Sequence, residues 1–323
     1  MSIKIFAPAS IGNFSVGYDL LGAAIRPIDG SLLGDVVAVK ASDNYELITD
    51  GRFASQLPGH PDDNIIHHCH ELFQQQLSEK AMQTQPVLIT LSKNLPVGSG
   101  LGSSSSSIVA AFVALNQWYD CPFSEQELLL MMGQMEAQIS GSLHYDNIAP
   151  CFIGGLQLMT NDNHICQSLP WFNDWYIVIA NPGINILTKA ARDAIPKAIK
   201  LSRATEYAQN LAGFVQALYR QDKSSVAHHL KDVIAEPYRY TLMPNFKQHK
   251  AKLLRMGAHA MGISGSGPTI FAVCSNRDIA DEVHHYLQKH YNENECAFSY
   301  VCKLSGQGAQ QLKEESEGVA CHS

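Results

Sequence analysis

The stretch LPVGSGLGSSSSSIVAAF, residues 95–112, sets glycines at 98, 100 and 102 ahead of five serines and an apolar run. Glycines let a backbone approach an anion closely, and a helix start offers unpaired N–H groups and partial positive charge. Ser103 and Ser104 can cap that helix or turn their hydroxyls toward phosphate or metal. The lysine of a P-loop is missing, so backbone amides would have to hold phosphate alone. The alternative is a glycine-serine turn that ends a strand. Further on, an apolar stripe of Leu129, Met132 and Ile139 carries Glu136 on its inward face. A carboxylate there must be paired or must bind a metal. Magnesium takes hard oxygen ligands, commonly a carboxylate together with nucleotide phosphates. Glu136 with a loop serine forms a candidate magnesium pair; a salt bridge to a lysine or arginine is the other possibility.

These groups need elements to hold them. Residues 3–7 (IKIFA) and 35–40 (DVVAVK) read as strands, the first ended by Pro8. A helix is predicted over 64–77 with Asn64 as N-cap, and 86–92 alternates as a strand leading into the glycine loop. The helix after the loop buries Ile108, Phe112, Leu115 and Tyr119. Ser124 and Glu127 make a capping box for a helix over about 125–139. Residues 152–159 return to strand. The polar stretch 160–170 is the candidate boundary, dividing the chain into domains at 1–168 and 169–313. Beyond it the pattern gives a strand at 175–180 and helices at 188–200, 204–221, 224–235 and 246–256. A strand–turn–strand unit at 261–273, a helix at 278–290 and a strand at 297–302 follow. Strands separated by helices in this half place the chain in the α+β class. The polar residues 314–323 read as a flexible tail.

Composition narrows the partners. The chain has 323 residues, 46% hydrophobic and 16% charged, enough to bury two cores. A net charge of −7 disfavours a nucleic-acid surface and leaves a small ligand as the default partner. Eight cysteines without a C-x-x-C pair, and no signal peptide, read as reduced thiols in a cytoplasmic protein. The apolar run Ile108–Leu115 is too short to span a bilayer, so no membrane association is expected.

Three segments, PASIGNFSVGYDLLG (8–22), LPVGSGLGSSSSS (95–107) and GISGSGPTIFA (262–272), resemble in order and spacing the three signature motifs of the GHMP small-molecule kinases. SGSLHYDNIAPCFIGG (140–155) is similar to a fourth family pattern. APAS-x-x-N, GAAIRPIDGSLLGDVV, LHYDN and DVIAEPYR look like the homoserine kinase branch, over about residues 1–312. The resemblance implies an N-terminal domain like ribosomal protein S5 domain 2 and a ferredoxin-like C-terminal domain. It implies ATP and Mg²⁺ as cofactors and L-homoserine as acceptor. It places the phosphates in the loop Pro96, Val97, Gly98, Ser99, Gly100, Leu101, Gly102, Ser103, Ser104, Ser105 and Ser106, and the metal on Ser104 and Glu136. A homodimer and feedback by threonine are also what it suggests.

The resemblance also assigns the acceptor end. A zwitterion with a hydroxyl tail needs an anion for its ammonium and cations for its carboxylate. Asn13 and Asp19 are placed at the substrate, where Asp19 suits the ammonium by charge; alone, each could equally form an Asx-turn. Arg192 and Arg239 match positions for the carboxylate, for which a planar guanidinium is well shaped, and Thr188 lies one helical turn before Arg192. His144 is placed at the substrate and Asn147 at the reacting hydroxyl. Asp146 is given a structural hydrogen-bonding role, with a base left open. The loop departs from the family at Ser105 and Ser106, where alanine is usual, and the last three serines read as small helix residues. The short GSG at 265–267 suits a turn packed under the phosphate loop. The HHCHE run at 67–71 and the pairs His228–His229 and His284–His285 read as surface helix rather than metal sites.

Overall fold

The computed structural model describes residues 2–161, 164–186 and 188–313, apart from the side chains of 140, 188 and 189. The chain opens with β1 (Ser2–Pro8), β2 (Ser10–Gly12), β3 (Leu21–Pro27), β4 (Gly34–Ala41) and β5 (Glu46–Asp50). Next come α1 (Ile65–Glu79), β6 (Val87–Ser92), α2 (Ser103–Trp118), α3 (Glu125–Ser140) and α4 (Ile148–Ile153), followed by β7 (Leu156–Met159) and β8 (Cys166–Leu169). The second half runs through β9 (Tyr176–Asn181), α5 (Thr188–Asp193), α6 (Leu201–Tyr219), α7 (Lys223–His229) and α8 (Glu236–Arg239). It ends with α9 (Phe246–Arg255), β10 (Ala260–Ile263), β11 (Ile270–Cys274), α10 (Arg277–His290), β12 (Phe298–Leu304) and β13 (Gln310–Gln311). The predicted tail at 314–323 lies outside the described residues.

The first sheet has the order β13-β1-β4-β6-β5, with only β5 and β6 parallel. Along β6 the side chains of Val87, Ile89 and Leu91 are buried and their neighbours are not, as the period-two pattern requires. Its covered face packs on α1, α2 and α3 around Phe73, Phe112 and Met132. Burial of each such side chain contributes about 2 kcal/mol. Asn64 caps α1 by accepting from the amide of Ile66, and Ser124 with Glu127 closes the expected capping box on α3.

The second sheet runs β10-β11-β9-β12-β3-β7-β8, with β2 on β3. Strand β3 joins the halves: its start pairs with β2 and β7, and Ile25, Arg26 and Pro27 pair with Leu304, Lys303 and Cys302 of β12. The sheet is thus continuous across the junction expected at residue 168. The core around Phe14, Trp175 and Phe271 lies between this sheet and α6 and α7; Phe246, Leu253 and Val283 fill the opposite face under α9 and α10.

Several elements differ from expectation. Residues 152–153 close α4 instead of opening a strand, and the polar stretch 160–170 contributes edge strand β8. The helix expected over 188–200 stops at Asp193, since Pro196 cannot donate and disfavours helix before it. The helix expected over 224–235 ends at His229. A separate short helix, α8, then begins where Asp232 accepts the amides of Ile234, Ala235 and Glu236. On α3 the inward residues are Leu128, Leu129, Met131, Met132 and Met135, while Ile139 is exposed. Among the described residues no helix is long and apolar enough to cross a membrane.

Candidate active site

The glycine loop leaves β6 and enters α2 with left-handed backbone at Gly98, Gly100 and Gly102, whose φ angles are 69°, 79° and 64°. Gly102 is the N-cap and supplies no side-chain cap, so the first-turn amides of α2 keep their donors for an anion. The third glycine motif packs under this loop as expected. Ser264 Oγ donates to Gly100 O at 2.7 Å, and Thr269 donates to Ser99 O from both N and Oγ1. A Cβ on Gly100 would sit 2.3 Å from Ser264 O and 2.8 Å from Gly267 O. Gly100→Ala is therefore expected to destabilise by ~2 kcal/mol or more, from left-handed strain plus overlap. Thermal melting checks this; a variant as stable as the parent contradicts it.

The five serines take several different partners. Ser104 Oγ donates to Glu136 at 3.0 and 3.2 Å, and Ser105 Oγ to the same carboxylate at 3.2 Å. Burial holds the Glu136 carboxyl above its usual range, offset in part by those two hydroxyls and by the charge of Lys93. A loop hydroxyl and a desolvated carboxylate form the hard-oxygen donor set that a magnesium ion takes beside phosphate, so the residues present fit that ion. The other serines bond elsewhere. Ser107 Oγ donates to Asp35, Ser106 Oγ accepts from the Asp35 amide and donates to Ala7 O, and Ser103 Oγ donates to Leu95 O. The last three serines are small buried residues of α2, as expected, and each also makes a specific side-chain hydrogen bond.

The acceptor-side residues converge on the loop between β2 and β3. Asn13, Ser15 and Asp19 all hold positive φ there, at 60°, 52° and 56°. Backbone strain of this kind persists only where the surroundings over-determine it. Asn13 Oδ1 accepts from Asp19 N at 2.8 Å and Asn13 Nδ2 donates to Gly265 O, while Tyr207 of α6 donates to Tyr18 O. Asp19 thus faces Arg192 at 3.9 Å and His144 at 3.6 Å. Burial lowers the His144 pKa against the pull of Asp19, and its ring shares a 2.6 Å hydrogen bond with Ser142. Arg239, only 3% exposed, donates from Nε to Ala191 O and from Nη1 to Gly265 O, with its guanidinium 5.5 Å from the Tyr18 ring centre. Among the described residues Arg192 Nε is buried without a hydrogen-bond partner. The Thr188 side chain lies outside the described residues.

Asp146 and Asn147 join the two halves of the site. Ser10 Oγ donates to Asn147 Oδ1 at 2.9 Å, and a Cβ on Gly102 would lie 3.0 Å from that same oxygen. Asn147 therefore stands where the phosphate loop enters its helix. Asp146 is buried and accepts from Asn13 N at 3.0 Å. Burial first, and then the charge of Asp19, push its carboxyl up to about 7. Gly22 lets the Asp146 backbone come this close, since a Cβ there would stand 1.6 Å from Asp146 O.

The structure brings the loop, Ser104, Glu136, Asn13, Asp19, His144, Asn147, Arg192 and Arg239 together. Sequence reading missed Lys93, Asp35, Ser10, Tyr18 and Tyr207. Asp35 and Lys93 are 58 residues apart, and only strand pairing of β4 with β6 joins them. Of the histidine runs, His67 meets Glu71 and Tyr45, His284 meets Ser299 O, and His229 contacts Asn210. Among the described residues no group of three or more histidine, cysteine or acidic side chains is arranged to hold a metal.

Two family models match the chain: the GHMP kinases N terminal domain over residues 64–155 and the GHMP kinases C terminal over 214–293. The chain belongs to the GHMP kinases, ATP-dependent kinases of two-domain α+β architecture. A solved homoserine kinase from Cytophaga hutchinsonii is 33% identical, superposes with a TM-score of 0.87, and covers 96% of this chain and 97% of its own. A putative homoserine kinase from Listeria monocytogenes, 20% identical, has a TM-score of 0.71 over 97% and 100% of the two chains. L. major mevalonate kinase, solved with R-mevalonate, is 16% identical with a TM-score of 0.67 over 94% and 96%. The last two likenesses concern the fold.

Proposed function

We propose that the protein transfers the γ-phosphoryl group of ATP to the side-chain hydroxyl of L-homoserine, giving O-phospho-L-homoserine. The observation that carries this is the opposed pair of Asp19 and Arg192, 3.9 Å apart, with Arg239 bonded to Gly265 O, which also accepts from Asn13 of the Asp19 loop. A zwitterion can exchange that internal ion pair for two of its own, ammonium on Asp19 and carboxylate on the arginines. A neutral sugar cannot. The likeness to the Cytophaga hutchinsonii homoserine kinase supports the same substrate.

In this reading the loop at 96–106 holds the phosphates through backbone amides, including those of the first turn of α2. Ser104 and Glu136 would hold Mg²⁺, which when bound supplies positive charge to the transferring group. Asn147, between loop and acceptor, orients the hydroxyl, and His144 contacts the substrate. Positioning and electrostatics do most of the work in phosphoryl transfer, so in-line attack proceeds without a strong base and the hydroxyl proton leaves to phosphate or water. ADP release with L-homoserine, mevalonate, galactose and L-threonine tests the proposal; no turnover on homoserine would sink it. Turnover on mevalonate or galactose alone would make the protein another GHMP alcohol kinase, and ATP binding without turnover on any of them a nucleotide-binding regulator.

Arg192 gives the cleaner test of the carboxylate site, because removing Arg239 also takes away the bonds it gives to Ala191 O and Gly265 O. Arg192→Ala is expected to raise the homoserine KM by about 10–100-fold, the loss of a charged hydrogen bond, and to leave the ATP KM within about twofold. Equal changes in both constants would remove the assignment.

A further inference from the structure

We infer that Lys93 and Asp35 form a buried clamp that fixes both ends of the phosphate loop and thereby sets its nucleotide affinity. The inference rests on the proposed role of the 96–106 loop. Both side chains are buried, Lys93 at the exit of β6 and Asp35 at the start of β4. Lys93 Nζ has three donors and spends them on Asp35 Oδ2, Ser103 O and Ser107 Oγ. Asp35 Oδ1 accepts the amides of Asn94 and Leu95, while Oδ2 accepts from Lys93 and Ser107.

These bonds have a particular distribution along the chain. Asn94 and Leu95 are the residues entering the loop, and Ser103 and Ser107 open the first and second turns of the helix leaving it. One carboxylate and one ammonium therefore pin both ends of the seven residues between Pro96 and Gly102. A second strut, Ser103 Oγ to Leu95 O at 3.1 Å, ties the same two ends directly. With every Nζ donor used, Lys93 is not placed to reach a phosphate as a P-loop lysine does. Its charge is also neutralised on the spot by Asp35. What the pair supplies is geometry: amides whose directions are set before an anion arrives. Preorganised donors of this kind act without reorganising at the moment of binding, and loss of about 1 Å of register in such a site costs affinity and rate steeply. Lys93 and Asp35 are thus positioning residues, acting through the loop backbone.

A buried ion pair is commonly replaceable by uncharged residues without loss of stability, whereas removing one partner is strongly destabilising. That separates the two roles. In Lys93→Met combined with Asp35→Asn, the asparagine carbonyl can still accept from Asn94 and Leu95, and methionine fills the lysine stem's volume. Mg·ATP affinity is measured by calorimetry, stability by thermal melting, and acceptor KM by ADP release. The double variant is expected to melt near the parent, bind Mg·ATP about tenfold more weakly, and keep the acceptor KM within about twofold. Val283→Ala, which opens the distant core under α10, should melt lower with unchanged Mg·ATP affinity. Should the double variant not fold, Ser107→Ala, which removes one bond to each partner, is expected to weaken Mg·ATP by about threefold. A folded double variant with parental affinity overturns the inference, as does Ser107→Ala with parental affinity where it stands alone, or Val283→Ala weakening Mg·ATP equally. If the parent itself binds no Mg·ATP, the phosphate-loop reading fails first, an outcome distinct from a parent that binds and a variant that binds as well.

Discussion

Glu136→Gln is expected to cut kcat by about 10²–10³-fold, the range seen when a preorganised electrostatic contact at a transferring group is lost, while leaving the fold at least as stable. The two halves of that expectation share one cause. Glu136 sits beside Ser104 and Ser105 with its carboxyl held above the usual range, chiefly by burial. Ionised, it costs folding free energy. The sign follows from linkage: a carboxyl with a raised folded pKa binds more protons folded than unfolded, so stability falls as pH rises from its ordinary value near 4.5 through the folded value. Glutamine keeps the shape and can still accept from the serines, but removes that cost. The variant should therefore melt no lower than the parent at pH 8 in chelator. With magnesium and nucleotide the parent should gain melting temperature, by mass action on the folded state, and Glu136→Gln should gain much less. A variant that keeps its activity, or that gains as much from magnesium as the parent, would remove Glu136 from the metal site.

How far the chain could be read without coordinates varies with how local the cause is. β6 was legible because one face packs on helices and the other does not, and the capping box on α3 lies within four residues of chain. β8 was missed because an edge strand with exposed Gln167 and Ser168 has no apolar alternation to show. α5 was drawn too long because helical periodicity carried the prediction past Pro196. In the site, the loop and Glu136 were legible by chemistry: glycines before a helix, and an acid on an apolar face. The fates of Ser105, Ser106 and Ser107 were not, because a hydroxyl on a nearly all-buried helix takes whichever partner the fold delivers. Those partners come from Glu136, Ala7 and Asp35, far away in sequence. The clamp under the loop was hidden for the same reason: a lysine at the end of a strand carries no mark of an acid on a neighbouring strand.

Asp146→Asn decides how the acceptor hydroxyl loses its proton. Two observations pull in opposite directions. The carboxyl is pushed up to about 7, mainly by burial and then by Asp19, which is where a general base is most effective. Yet one of its oxygens already accepts from Asn13 N, and its backbone is wedged against Gly22 of β3. It thereby ties the Asp19 loop to the segment that carries Asn147. If that tie is its role, asparagine can rotate to keep the bond from Asn13, and kcat should fall by less than about tenfold. Loss of a true base would cost about 10²–10⁴-fold with KM unchanged. The pH profiles separate the cases further. A base would give the parent a kcat that rises with pH through about 7, a limb the asparagine variant lacks; a positioning acid leaves the two profiles alike in shape. Stability gives an independent readout with a definite sign. The folded carboxyl holds its proton from about pH 4 up to about 7, whereas an unfolded one has lost it. Parental stability should therefore decline across that window, and Asp146→Asn should flatten the decline. A parent whose melting temperature does not fall across that window would place the charge of Asp146 in a better-solvated setting than its burial implies.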